Sequence, residues 1–189
     1  MGYSGNMIKN MKAHLTAISR KTLSAPMRWL NSLALIPQAS KSLDYGCGRG
    51  FDADQLGMDK FDPHYFPTAP AGGYDVVTCN YVLNVIPEDS EREKVLLQLQ
   101  AQAAYRGTVY VAVRNDKAAL KGWTSKGTWQ GDISDLELEA KGFWKIRECA
   151  NFRLFKWRNW TRSRDRARRY WVCNPLPCEG PNNFLIRNK

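Results

Sequence analysis

The stretch Ser42-Leu43-Asp44-Tyr45-Gly46-Cys47-Gly48-Arg49-Gly50 concentrates the residue types from which chemistry can be built. An acid precedes three glycines at alternate positions, between a short apolar strand and the start of a helix. Glycine lets the backbone take positive φ and approach a ligand with no Cβ in the way. The helix start beyond it offers free N–H groups. This arrangement suits a nucleotide-like ligand.

The spacing narrows the choice. A dinucleotide fingerprint needs G-x-G-x-x-G. Gly46 and Gly48 fit, but Phe51 stands at the third position and the glycine falls at 50. A Walker-type loop ending in Gly-Lys-Ser/Thr does not occur in the sequence. The alternative is a ligand with a ribose and an amino-acid tail but no pyrophosphate. It would require close backbone approach, an acid near an ammonium group, and an acid on the ribose diol.

Further candidates sit where strands end. Met58-Asp59-Lys60-Phe61-Asp62 reads as a second strand ending in an acid, closed by Pro63. His64 follows and can face the cleft as a base, or simply hydrogen-bond the turn. Tyr74–Cys79 is a third buried strand that ends at Asn80-Tyr81, and Cys79 reads as one of its buried residues. Asn84 divides between a turn cap and a substrate contact. Cys173-x4-Cys178 has no second pair or nearby histidine to complete a zinc site. Five scattered cysteines read as reduced thiols of a cytoplasmic protein.

The elements that must position these groups follow from periodicity and punctuation. Ser24-Ala25-Pro26 starts a helix, with Ser24 as N-cap and Pro37 as its end, and it packs on the sheet. The helix after Gly50 is short because Gly57 arrives seven residues later. Pro67 to Gly73 is loop chemistry. Pro87-Glu88-Asp89-Ser90 starts a clear helix whose face is Val95, Leu96, Leu99 and Ala103. Gly107 to Val113 is a β-branched strand. A glycine-punctuated loop from Lys121 to Gly131 precedes a short helix from about Ser134 to Lys141. Trp144–Glu148 and Phe152–Trp157 then pair as a hairpin. Strands alternating with helices, then a hairpin, argue for an α/β fold with a mostly parallel sheet.

The 189 residues suit one domain that buries roughly 70% of its unfolded surface. No apolar run is long enough for a transmembrane helix, and the N-terminal residues make a poor signal peptide. Met1-Gly2 opens like a myristoylation site, but Asn6 stands where that pattern wants Ser or Thr. Charge is distributed unevenly: +5 over residues 1–40, −5 over 41–140 and +9 over 141–171. Two basic flanks around an acidic middle favour a polyanionic partner. In Phe152 to Trp171, Arg153, Lys156, Arg158, Arg162, Arg164, Arg166, Arg168 and Arg169 alternate with Phe155, Trp157, Trp160, Tyr170 and Trp171. Arginines bind phosphates and aromatics stack on exposed bases. The plainer alternative is a solvated basic surface whose aromatics fill the hairpin's packing face. The stretch shows no apolar helical face for a membrane.

LDYGCGRG resembles motif I of class I S-adenosylmethionine-dependent methyltransferases. The likeness extends to one subgroup, the methyltransferases associated with DNA phosphorothioation systems. It is carried by KAHLTAISRKTLSAPMRWL, LDYGCGRGFDADQL, FDPHYFP, YDVVTCNYVLNVIPEDSER and TSKGTWQ, spanning roughly residues 12–130. The resemblance implies a Rossmann-like class I methyltransferase sheet, mostly parallel with a C-terminal antiparallel hairpin, and S-adenosylmethionine as cofactor. Asp44, with Tyr45, Gly46, Cys47, Gly48 and Gly50, would hold its amino-acid end. Asp62 would bind the ribose, Phe61 and Pro63 would shape the adenine side, and Asn80 and Tyr81 would border the transferred methyl. Only twelve positions separate Asp62 from Asp75, too few for the helix–strand–helix usual there. The sheet is therefore expected to lack one edge strand. This chain is also shorter than the subgroup's members, a core with a basic tail.

The expected organisation is a basic N-terminal segment with a helix (1–40), a methyltransferase core (41–158) and a basic aromatic tail (159–189). Asn80-Tyr81-Val82-Leu83 lacks the prolines of the run used for amino methylation of bases, so the acceptor atom is not legible. The expected function is methyl transfer to a nucleic acid, DNA or RNA, with Asn80, Tyr81 and His64 nearest the chemistry. The alternatives are an inactive nucleic-acid-binding module on the same fold, and a methyltransferase for protein or a small molecule.

Overall fold

The computed structural model describes residues 13–116 and 122–160. The centre is a six-stranded sheet in the order β2-β1-β3-β4-β8-β7. Its strands are β1 (Ser42–Tyr45), β2 (Asp59–Phe61), β3 (Tyr74–Asn80), β4 (Ala103–Arg114), β7 (Trp144–Glu148) and β8 (Phe152–Arg158). The first four run parallel, and β8 and β7 add antiparallel beyond β4. β2 forms one edge of the sheet, with no further strand outside it among the described residues.

Alternation along the strands builds two cores, since successive side chains leave opposite faces. Leu43, Tyr45, Val77, Cys79, Val109, Val111 and Phe155 face α3 (Asp89–Gln102), which inserts Val95, Leu96 and Leu99. Val76, Tyr110, Ala112 and Leu154 face α1 (Ala25–Ser32), which contributes Met27 and Leu30, and α2 (Phe51–Leu56), which contributes Ala53. All four residues of β1 are buried, as a central parallel strand covered on both faces requires. Among the described residues no helix is long and apolar enough to cross a membrane.

Four features differ from the sequence expectation. α1 stops at Ser32, well short of Pro37, and Ser24 does not cap it with its side chain. The Ser24 N–H instead donates to Asp52 Oδ1 at 2.9 Å, tying the helix start to α2. β4 begins at Ala103, directly at the end of α3, and a register shift opposite Tyr74–Val76 absorbs the junction. Arg106 takes a φ of 65° there, and Asn159 clips the strand start with bonds to Gly107 O and Ala103 O. Fourth, the glycine-punctuated stretch after β4 holds a small ribbon, β5 (Gly122–Trp123) paired with β6 (Trp129–Gln130). Two-residue strands leave too little periodicity to read. α4 (Asp135–Glu139) follows, and the Gly142 stop takes a φ of 77°.

Two interior cations pin α4 against the sheet. Arg92 of α3 donates to Glu137 at 2.7 Å and to the carbonyls of Ile86 and Pro87. Arg153 of β8 donates to Asp132 at 2.7 Å, to Ile133 O at 2.9 Å and to Asp135. Arg153 is thus committed inside the fold, and Phe155 is fully buried. Neither forms part of the basic aromatic surface expected of Phe152–Trp171. Residues 161–171 of that segment, like Cys173 and Cys178, lie outside the described residues.

Candidate functional site

The C-terminal ends of β1, β2 and β3 open into one cavity of about 790 Å³. This is the end of an open parallel sheet at which ligands bind. Its floor is the glycine turn. Gly46, Gly48 and Gly50 take φ of 74°, 55° and 79°. At Gly46 a Cβ would stand 2.3 Å from Val82 Cγ2, so the turn cannot carry a side chain there. The Gly46 and Cys47 N–H groups both donate to Phe61 O, at 2.7 and 3.1 Å. The turn is therefore locked onto β2. α2 has only six residues, and its first turn carries Asp52 and Asp54, which oppose an anion at that helix start. That agrees with the spacing argument against a pyrophosphate.

Asp44 lies buried in the cavity wall, its Oδ1 accepting the Thr78 hydroxyl at 2.8 Å. Burial lifts its carboxyl from 3.8 to about 7, and the Thr78 hydrogen bond offsets only part of this. Asp62 and Arg20 also act on it, the acid raising and the cation lowering.

Asp62 stands across the turn. Its Oδ2 accepts the Gly48 N–H at 3.0 Å, and its Oδ1 accepts those of His64 and Tyr65 at 2.9 and 3.0 Å. An ionised carboxylate has about four acceptor positions. Three are taken within the protein, so this acid first clamps two turns together.

Asn80 ends β3 on the same cavity. Both atoms of its amide are buried with no hydrogen-bond partner among the described residues. Tyr81 follows at a φ of 65°, rare for a bulky residue, and its N–H donates to Ala112 O at 2.8 Å. Burial pushes its phenol up to about 12, so its hydroxyl stays protonated at neutral pH. Cys47 and Cys79 have thiols raised by burial and by Asp44, which removes both as thiolate nucleophiles.

The remaining sequence candidates are placed as follows. Pro63 lines this cavity and a smaller one of about 330 Å³ beside it, which Tyr45, Phe61 and Gln98 also line. Phe61 is mostly core, with its ring 4.7 Å from that of Tyr45. His64 reaches the cavity, but its ring stacks on His14 at 4.0 Å rather than standing alone as a base. Asn84 is wholly buried and satisfied. Its Nδ2 donates to Gly131 O at 2.7 Å and its Oδ1 accepts the Arg114 N–H at 2.8 Å. Asn84 is a tether between the ribbon and β4.

Sequence reading missed the far wall. Ala13 to Arg20 passes over the glycine turn, with Ala17 against Gly48 and Tyr65 Oη donating to His14 O at 3.3 Å. Arg20, Arg114, Asp116, Gln130 and Asn151 complete the cavity. Arg114 is forked onto Asp116 and reaches Gln130 at 3.2 Å. Nothing in the local pattern around these five residues marks them, since they converge only through the sheet order.

No known family profile matches the sequence, and no curated protein matches it. Solved structures do match the fold. The N-methyltransferase NodS of Bradyrhizobium japonicum WM9, in complex with S-adenosylhomocysteine, is 13% identical with a TM-score of 0.51. The match covers 71% of this chain and 85% of that one. The 1,6-didemethyltoxoflavin-N1-methyltransferase of Burkholderia thailandensis, with its acceptor and S-adenosylhomocysteine bound, is 15% identical with a TM-score of 0.52, covering 71% and 78%. The magnesium protoporphyrin IX methyltransferase of Synechocystis PCC 6803, with S-adenosylhomocysteine, is 17% identical with a TM-score of 0.50, covering 71% and 80%. This chain has the Rossmann-like α/β fold of the S-adenosylmethionine-dependent methyltransferases.

Proposed function

We propose that this chain is an S-adenosylmethionine-dependent methyltransferase, with residues 41–158 as its core and a nucleic acid as its acceptor. One observation carries the catalytic reading. The Asn80 amide is buried with both polar atoms unpaired, on the cavity that also holds the glycine turn and Asp44. A buried amide without partners costs stability and calls for a ligand that satisfies it.

The residues fit the cofactor. Asp44 would meet the ammonium group, the Gly46–Gly50 backbone would lie against the amino-acid end, and Asp62 has an acceptor position left for a ribose hydroxyl. Phe61 and Pro63 would border the adenine, and Asn80 and Tyr81 the reacting end. Bound S-adenosylmethionine supplies an electrophilic methyl group. The chain's own part is alignment, worth roughly 7–11 kcal/mol in well-oriented reactions. Tyr81 keeps its proton and serves as a hydrogen-bond donor. A base is needed only for an acceptor that must lose its proton early. With His64 stacked on His14, the geometry favours an acceptor that is already nucleophilic.

The basic flanks support a nucleic-acid acceptor, as does the resemblance to the phosphorothioation-associated subgroup. A small-molecule acceptor is the second reading. It is supported by the amide and carboxylate lining of Gln130, Asn151 and Asp116, and by the small acceptors named for two of the similar structures.

Calorimetry with S-adenosylmethionine and S-adenosylhomocysteine tests the cofactor: we expect heat with both, and silence with both would leave a fold without the activity. Incubation with methyl-labelled S-adenosylmethionine, followed by separation of DNA, RNA, protein and small-molecule pools, tests the acceptor. Label confined to protein or small molecules would overturn the nucleic-acid reading.

A further inference from the structure

The β5–β6 ribbon is built more firmly than a connecting loop needs to be. Trp123 pairs with Trp129 across it, and Gly122 with Gln130. Thr124 and Thr128 close its tip with a backbone bond of 2.8 Å and a hydroxyl bond of 2.7 Å, and Gly127 turns it at a φ of 69°. Its base is fixed to the candidate site. Asn84 exchanges bonds with Gly131 at both backbone groups, and Gln130 meets Arg114 on the cavity wall. Side chains at Gly122 and Gly131 would run into the Trp129 ring.

On this frame Trp123 is 61% exposed. Its ring meets Trp129 edge-to-face, at 5.7 Å between centroids. A single exposed tryptophan is unremarkable on a surface. This one stands on a ribbon whose other strand ends in Gln130, a residue of the cavity wall. Among the described residues the other exposed tryptophans, Trp144 and Trp160, each have a cation over the ring, from Lys156 and Arg158. Trp123 has none among the described residues. Lys126 lies exposed at the ribbon tip and forms no ion pair among them.

We propose that the ribbon is a docking arm for single-stranded nucleic acid, with Trp123 stacking on an unpaired base at the cavity rim and Lys126 contacting a phosphate. This rests on the nucleic-acid reading above. An enzyme that modifies a base must receive it out of the helical stack. A fixed aromatic face beside the site holds such a base, and stacking tolerates any base identity. Lys126 at the ribbon tip suits the strand's phosphate backbone.

Fluorescence anisotropy with a labelled 12-nucleotide single strand, and with its duplex, decides the matter across a salt series. The intact protein should bind the single strand more tightly than the duplex. Trp123→Ala should weaken single-strand binding roughly 5- to 150-fold with the salt slope unchanged, while Trp123→Tyr retains most of the affinity. Lys126→Ala should reduce the slope by about 0.7, the contribution of one phosphate contact on a single strand. Thermal unfolding of each variant checks that the fold is intact. An intact protein that binds neither strand would remove the nucleic-acid reading itself. Binding that Trp123→Ala leaves unchanged, or equal binding of duplex and single strand, would overturn the arm alone.

Discussion

Asp44 and Asn80 are both held in states that burial penalises, and both make measurable claims. The folded chain holds the Asp44 proton more tightly than the unfolded chain, because burial lifts the carboxyl from 3.8 to about 7. Its stabilising contribution is therefore complete below about pH 4 and is lost as pH rises through 7. We expect Asp44→Asn to match the parent near pH 4 and to be more stable at pH 8 by on the order of 3 kcal/mol, read from denaturant midpoints. The same variant should bind S-adenosylhomocysteine poorly at every pH. Asn80→Leu should likewise gain about 1 kcal/mol of stability, since it removes two unpaired polar atoms, while calorimetry finds S-adenosylhomocysteine binding gone. Equal or lower stability for that variant would mean the amide is satisfied in the folded chain. At this scale the sequence is informative where the candidate site is a contiguous turn. Asp44, Gly46, Gly48 and Asp62 could be named because glycine spacing and strand-end acids are local patterns. Arg20, Arg114 and Asn151 could not, because only the sheet order brings them to one cavity. The clamp that Asp62 forms was hidden too, as its three donors come from two separate turns.

Elements were legible in proportion to their burial. β1 and β3 are short apolar runs that parallel strands demand, and α3 shows its face at helical spacing. Boundaries failed where neighbours decide them. Ala103 and Ala104 carry no strand signal, and β4 reaches back to them because Asn159 and Tyr74 lie alongside. The ribbon has no local strand signal because its order comes from Asn84, a residue 38 positions before β5 begins. This assigns Asn84 a supporting role. Asn84→Ala leaves Gly131 O and the Arg114 N–H without their partners in a buried place. We expect a loss of about 2–3 kcal/mol in denaturant unfolding with an unchanged slope. A loss under 0.5 kcal/mol would show that the ribbon is held elsewhere.

For the whole molecule, net charge misstates what a partner meets. Arg92 and Arg153 are inside the fold and paired with Glu137, Asp132 and Asp135, so neither cation is open to a partner. The exposed cations at Arg49 and Lys126 remain for partners. The sheet's boundary has a consequence of its own. On one side it ends in β2, three residues long, with Asp59 and Lys60 exposed or half-buried. On the other it ends in β7, where Trp144, Lys145, Arg147 and Glu148 are all exposed. An unpaired strand edge is a template on which other chains can polymerise. Brevity at β2 and charge at both margins make each a poor template for amyloid-like growth.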